Sequence, residues 1–383
     1  MSSIEKVLEG KSVCICAGSG GVGKTTTSAA IAAGMAARGK RVAVLTIDPA
    51  KRLADSLGLK ELGNKPRKVG KSVLAKAGIE GEGELWAMML DSKATFDDLV
   101  SEHAPDDETR ERILDNRIYQ QLSGALAGSQ EYMAMEKLYE LASSGEYDLL
   151  VLDTPPSRNA LDFLEAPNRL LQFIEGRALK VFLRPTGFAA KIAGRGTSVM
   201  FSILKRITGV DLLQDLAEFF QAFGGMIGGF RERADRVNEL LADKKTTFLV
   251  VCGPQSEPID EATFFQAKLA ESKLPFGAAI VNRVHVAEAG GASNEEIEAE
   301  LAGELGDDEL AANVAANFAD YATLAKRDRR GIARLRKESK AKIVIEVPEL
   351  DSDVHDLVGL MEVNRYLFAS GAKERADILA GIE

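Results

Sequence analysis

The chain has 383 residues, of which 45% are hydrophobic and 28% are charged, and its net charge is −10 at pH 7. This composition is that of a globular protein with a sizeable core, and the acidic balance argues against a nucleic-acid partner. No signal-peptide pattern begins the chain and no apolar run approaches the ~20 residues of a membrane span. We therefore expect a cytoplasmic protein, with peripheral membrane contact left open.

The first elements are a strand, a glycine-rich loop and a helix. Residues 11–17 predict a buried strand, and the Ala-rich segment from Thr25 to Ala37 predicts a helix that ends at Gly39. Between them, residues 18–26 fit the phosphate-loop pattern G-x-x-x-x-G-K-[ST] without a mismatch. Lys24 is expected to reach the β- and γ-phosphates as a catalytic residue, and the Thr25 hydroxyl to hold Mg²⁺. The predicted nucleotide-binding positions are Gly20, Gly21, Val22, Gly23, Lys24, Thr25 and Thr26.

Two aspartates follow the next predicted strands. Residues 42–47 predict a strand that ends at Asp48, residues 85–90 another, and residues 147–153 one that ends at Asp153. Parallel strands bring their carboxyl ends to one edge of a sheet, where ligands bind. We expect Asp153 to hold Mg²⁺, directly or through water, and Asp48 to orient or deprotonate the attacking water. The alternative for each aspartate is a strand-end turn or a helix cap.

The remaining pattern completes an α/β fold. Further strands are predicted at 246–252, 276–281 and 341–347, with helical segments at 93–141, 159–241, 259–272 and 285–339. Unalternated apolar strands between helices indicate a P-loop NTPase with a mostly parallel sheet covered on both faces, plus an inserted helical subdomain. We expect a discontinuous ATPase core over residues 1–91, 141–158, 243–285 and 340–383. The helical subdomain would comprise 92–140 and 159–242, and a helical insertion 286–339.

The base of the nucleotide is predicted from residues 282–285. Guanine-binding proteins usually carry Asn-Lys-x-Asp at a strand end, whereas here Asn282 is followed by Arg283, Val284 and His285. No carboxylate is present to accept hydrogen bonds from guanine, and Asn282 could bond adenine. The expected ligands are therefore ATP and Mg²⁺.

Several of these segments together resemble one family, the arsenical-pump-driving and tail-anchored-protein-targeting (ArsA-type) ATPases. They are 18–26, 48–50, 153–157 with 161–164, 280–282 and 347–348. The resemblance implies an ATP-operated dimer in which residues 48–50 form a first switch and 153–159 a second. It also implies that Asn282 and the segment from Pro348 onward line an adenine pocket. The length fits single-module bacterial members.

Three departures from the family pattern stand out. Ser19 occupies the position of a lysine that reaches the partner's phosphates, and Asn159 that of a histidine in the second switch. The Cys-x-x-Cys zinc motif is missing after Asn282, and the three cysteines are predicted to be reduced core residues rather than a metal or arsenite site. We therefore expect either a homodimer that uses Arg158 or Lys51 of its own, or a heterodimer with a paralogous subunit.

The helical region leaves two interpretations open. Residues 212–230 carry a broad apolar helical face, and residues 169–206 are basic. The region is either a groove for a hydrophobic client segment of a membrane protein or a self-packed subdomain. Residues 285–339, acidic and then basic, predict a solvated helical pair. The leading hypothesis is a nucleotide-switched membrane-protein targeting or chaperone-like ATPase. The alternatives are the energising subunit of an anion transporter and a non-hydrolysing scaffold.

Overall fold

A computed structural model describes residues 4–48, 52–122, 129–155, 165–167, 226–287, 293–339 and 341–379. In chain order, the strands are β1 Val13–Ala17, β2 Arg41–Thr46, β3 Arg67–Lys68, β4 Glu84–Met89, β5 Leu149–Asp153, β6 Thr246–Cys252, β7 Phe276–Val284 and β8 Val344–Pro348. In the same order, the helices are α1 Ile4–Leu8, α2 Lys24–Ala37, α3 Arg52–Ser56, α4 Lys71–Lys76, α5 Ser92–His103, α6 Asp107–Leu114, α7 Arg117–Leu122, α8 Ser129–Ser144, α9 Ile227–Ala242, α10 Ser256–Glu271, α11 Asn294–Leu305, α12 Asp308–Glu338, α13 Leu357–Phe368 and α14 Ala372–Leu379.

The strands form one eight-stranded sheet in the order β3-β4-β2-β5-β1-β6-β7-β8. Every neighbouring pair is parallel except β3 and β4, which are antiparallel. The predicted mostly parallel sheet is confirmed. The short edge strand β3 was not predicted, because its two residues, Arg67 and Lys68, are both exposed and give no apolar pattern.

Helices cover both faces of the sheet, as the unalternated strands predict. On one face the sheet shares a core with α5, α8, α9, α10 and α12, and on the other with α1, α2 and α13. All residues of β1 and β5 are buried, since their two faces both meet apolar side chains. Cys14, Cys16 and Cys252 are buried and free, as predicted. Burial raises the pKa of the Cys252 thiol to about 12.

Most of the predicted client region, including residues 169–206 and the apolar face up to residue 225, lies outside the described residues. Where the description resumes, Met226 and Phe230 are buried in the core. This end of the apolar face is therefore packed inside the molecule. In the described part of the chain, no helix combines the length and the apolar character that a bilayer crossing requires.

The predicted helical pair after β7 is confirmed, with two corrections. It begins at Asn294 rather than His285, because β7 extends to Val284 and residues 285–287 are not helical. The prediction of a solvated surface holds for α11, which buries no residue. It is wrong for one charged residue of α12, since Asp328 is fully buried.

Candidate active site

The glycine-rich loop, residues 18–23, connects β1 to α2 at the carboxyl edge of the sheet. Gly18 passes so close to β6 that a Cβ there would lie 2.0 Å from the carbonyl oxygen of Val251. Gly23 caps α2 with φ 90°, which glycine adopts without steric cost. A Cβ on Gly23 would also lie 2.3 Å from Asn282 Nδ2. The glycine pattern therefore reflects close backbone approach as well as turn geometry.

Lys24 begins α2 and lies under the loop. Its side chain is buried, and Nζ donates to the carbonyl of Ser19 at 2.7 Å. Burial lowers the pKa of Lys24, while the charges of Asp153 and Asp48 oppose that shift. The ammonium group thus lies within the electrostatic reach of both aspartates. The other predicted loop positions surround it: Gly20 and Gly21 are exposed, Val22 is buried, and Thr25 and Thr26 are half-buried.

Asp153 lies at the end of β5 and is the centre of the polar contacts. Its Oδ2 accepts hydrogen bonds from Thr25 Oγ1 at 2.6 Å and from Thr46 Oγ1 at 2.9 Å. Its Oδ1 is buried and has no hydrogen-bond partner. Burial raises the pKa of Asp153 from 3.8 to about 6, although the bonds from the two threonines act in the opposite direction. The unpaired oxygen is the strongest sign of a ligand at this position.

Thr46 was not predicted as a site residue. It is the register partner of Asp153 across β2 and β5, and its hydroxyl also accepts the backbone N–H of Asp48 at 3.2 Å. The hydroxyl therefore joins both predicted aspartates. Thr154, which lies in the predicted second switch, donates from Oγ1 to the Cys16 carbonyl at 2.9 Å and fixes the start of the segment after β5. A threonine in an apolar strand carries no distinguishing signal in the sequence, so only the strand pairing reveals Thr46.

The residues predicted to contact the base lie at the ends of β7 and β8. Asn282 Nδ2 donates to the Val22 carbonyl at 2.9 Å, so the side chain lies directly against the phosphate loop. Pro348 ends β8, is buried and pairs with Val284. Residues 49 and 50 of the predicted first switch lie outside the described residues, and so does Lys51. The same holds for residues 156–159 of the predicted second switch, which include Arg158 and Asn159.

The oxygen atoms at this edge fit a magnesium ion. Mg²⁺ prefers hard oxygen ligands and is commonly held by one or two protein side chains together with substrate phosphates and water. Thr25 Oγ1 and the unpaired Asp153 Oδ1 provide such atoms beside the loop. Among the described residues there is no cluster of three or more His, Cys, Asp or Glu side chains that could hold a metal by itself. A magnesium site that is completed by the phosphates of a substrate fits these two oxygen atoms.

Comparison with known proteins agrees with this geometry. A family model described as "Anion-transporting ATPase" matches residues 11–305. The chain belongs to the anion-transporting ATPase family. The family resemblance seen in the sequence and the P-loop α/β fold are thereby confirmed, and the protein is an ATP-hydrolysing enzyme. The matched range ends before α12.

Individual members of the family are similar over most of the chain. "ATPase get3" of Aspergillus terreus is 27% identical over 269 residues, which are 70% of this chain and 71% of the relative. "ATPase GET3" of Malassezia globosa is 28% identical over 253 residues, 65% of this chain and 66% of the relative. "ATPase ASNA1 homolog 1" of Paramecium tetraurelia is 26% identical over 291 residues, 74% and 78% of the two chains.

Proposed function

We propose that the carboxyl edge of the sheet binds Mg·ATP, with the Asp153 carboxylate as the protein's metal anchor. The observation that carries this proposal is the buried, unpaired Oδ1 of Asp153 beside the Thr25 hydroxyl. Bound Mg²⁺ would neutralise charge on the phosphates. Thr25 and Asp153 would hold the ion, and the backbone N–H groups of the loop and of the first turn of α2 would bind the phosphates.

The roles of the two catalytic candidates follow from their surroundings. Lys24 exchanges the Ser19 carbonyl for phosphate oxygens and stabilises the charge that develops during transfer. Asp48 orients or deprotonates the attacking water. Its backbone N–H is bonded to Thr46, the residue that also bonds Asp153, so the positions of Asp48 and of the proposed metal anchor are linked. Asn282 and the segment from Pro348 onward form the base pocket, which favours adenine over guanine.

At the level of the cell, we propose a nucleotide-switched dimer that targets membrane proteins. Family membership, the relatives named above and the resemblance to tail-anchored-protein-targeting ATPases support this role. The client is a hydrophobic membrane-protein segment, carried by the helical subdomain formed by residues 92–140 and 159–242. We assign residues 286–339 to a separate helical insertion. The protein acts in the cytoplasm with peripheral contact to a membrane.

The dimer partner depends on Ser19. This residue cannot supply a cation across the interface, so the partner's phosphates are neutralised by Arg158 or Lys51, or the subunit pairs with a paralogue that carries the lysine. Purified wild type and Arg158→Ala should be compared by ATP turnover and by sedimentation with ATP. Normal turnover and dimerisation in both proteins would contradict the role of Arg158 and the need for a paralogue.

The targeting role is tested with a purified membrane protein that carries one C-terminal hydrophobic segment. The expected result is nucleotide-dependent capture of this protein and its insertion into liposomes. There are two controls, the Lys24→Ala variant and a client with two arginines in its hydrophobic segment, and in neither should the client reach the liposomes.

The family's description also suggests a second function, that of the energising subunit of an anion transporter. Arsenite-stimulated turnover without client capture would favour that function and contradict targeting.

A further inference from the structure

The end of β7 departs from regular strand geometry next to the phosphate loop. The pairing of β7 with β8 shifts register between Val281 and Val284, so Asn282 and Arg283 form a bulge. Arg283 has φ 59°, a left-handed conformation that a side chain of its size rarely adopts. Such a conformation persists only where the surrounding structure fixes it, and bulges of this kind often direct a side chain into a site.

The bulge directs two side chains to the loop. Asn282 Nδ2 donates to the carbonyl of Val22, and Arg283 Nη1 lies 3.5 Å from the carbonyl of Gly21. The amide of Asn282 also lies against Gly23, where a Cβ would be 2.3 Å away. The shape of the loop and the shape of the bulge are therefore coupled by direct contact.

The chain is held immediately after the bulge by α12. The Asp328 carboxylate accepts the backbone N–H of His285 at 3.1 Å, and the same Oδ2 lies 2.6 Å from His285 Nδ1. Its Oδ1 accepts two bonds from Arg327, at 2.9 and 3.1 Å. Asp328 has 0% exposure, so these bonds satisfy a fully desolvated charge. They fix His285 in both main chain and side chain.

A second contact to His285 is weaker. His285 Nε2 lies 3.0 Å from Glu349, whose side chain is 46% exposed. Ion pairs open to solvent contribute little, so the contact with buried Asp328 should dominate. The Tyr321 ring of α12 packs edge-on against the imidazole at 5.2 Å between centroids and limits its rotation.

We propose that Asp328 is a positioning residue for nucleotide binding: through the side chain of His285 it holds the β7 bulge in the geometry that presents Asn282 to the phosphate loop. The proposal rests on the proposed function for the identity of the nucleotide. It connects α12, which lies beyond the matched family range, to the nucleotide site through His285. Asp328 itself touches neither phosphate nor base.

The test leaves buried Asp328 unchanged and alters its partner. An asparagine amide occupies the place of imidazole Nδ1, and a glutamine amide that of Nε2. Of the two side-chain contacts, His285→Asn therefore keeps the one with Asp328 and His285→Gln keeps the one with Glu349. The backbone N–H bond to Asp328 remains in both variants. Binding of Mg·ADP is measured by calorimetry, and kcat and KM are measured with ATP and with GTP. Arg336→Gln is the control, since it removes an ion pair between α12 and Glu346 of β8 and leaves both side-chain partners of His285 in place.

The expected result is that His285→Asn and Arg336→Gln bind Mg·ADP within about twofold of wild type, while His285→Gln binds about tenfold more weakly. His285→Gln should also raise KM more than it lowers kcat and reduce the preference for ATP over GTP. Equal affinity in the two His285 variants, with the base preference unchanged, would overturn the proposal. If wild type itself binds no Mg·ADP, the proposed nucleotide site fails instead.

Discussion

Replacing Thr46 with valine removes a hydroxyl while nearly preserving the shape of the side chain. In the wild type this hydroxyl donates to the buried Asp153 carboxylate at 2.9 Å. A hydrogen bond to a charged group contributes about 1.5–3 kcal/mol to stability, whereas one between neutral groups contributes about 0.5–1.5 kcal/mol. The cost of Thr46→Val should therefore depend on whether Asp153 is ionised.

The protonation of Asp153 sets the direction of this dependence. Its folded-state pKa of about 6 means that the carboxyl group is mostly protonated at pH 5 and mostly ionised at pH 8. We expect Thr46→Val to lower the free energy of unfolding by about 2 kcal/mol at pH 8 and by about 1 kcal/mol at pH 5. By linkage, the same free-energy difference should appear as a further rise in the pKa of Asp153 when the donor is lost.

Urea unfolding of the metal-free and nucleotide-free protein at the two pH values measures this difference. Thr246→Val is the matched control, because the Thr246 hydroxyl is also buried but donates to the neutral carbonyl of Leu240 at 2.6 Å. Its cost should be the same at both pH values. If Thr46→Val costs as much at pH 5 as at pH 8, the assignment of Thr46 as a donor to ionised Asp153 is wrong.

Three further predictions concern stability and turnover. Burial raises the pKa of Asp153 from 3.8 to about 6, so the folded metal-free protein binds the proton more tightly and the contribution of Asp153 to stability should fall by about 2 kcal/mol from pH 4 to pH 7. Urea unfolding should show this as a pH-dependent difference between wild type and Asp153→Asn, which share the other carboxyl groups, and a difference that stays constant with pH would contradict it. Gly34→Ala should lower the free energy of unfolding by about 1–3 kcal/mol, because the added Cβ would lie 1.8 Å from Asn364 Nδ2. Gly303→Ala, in open space on α11, should raise the free energy of unfolding by about 0.5–1 kcal/mol. Thermal melts that shift both variants in the same direction would contradict this packing. Lys24→Met should lower ATP turnover by about 100-fold or more, and a phosphate-release assay that finds near wild-type rates would remove Lys24 from the mechanism.

The fold and the phosphate loop could be predicted because they depend on local patterns. Apolar runs located seven of the strands, and the glycine-lysine-threonine spacing located the loop and the start of α2. Thr46 could not be identified this way, because its role depends on lying opposite Asp153 in a sheet whose register the sequence does not state. The role of Asp328 could not be predicted for the same reason. It lies 43 positions after His285 in a charge-rich segment, and nothing in the sequence indicates that it is buried.

In the proposed mechanism, Asp48 acts on the water that attacks Mg·ATP at this edge of the sheet. The most direct measurement compares steady-state ATP hydrolysis of wild type and Asp48→Asn, together with their affinities for Mg·ADP. We predict magnesium-dependent turnover in wild type, a loss of about 100-fold or more in Asp48→Asn, and equal affinities within about threefold. Wild-type turnover in Asp48→Asn, or no magnesium-dependent turnover in wild type, would contradict the account.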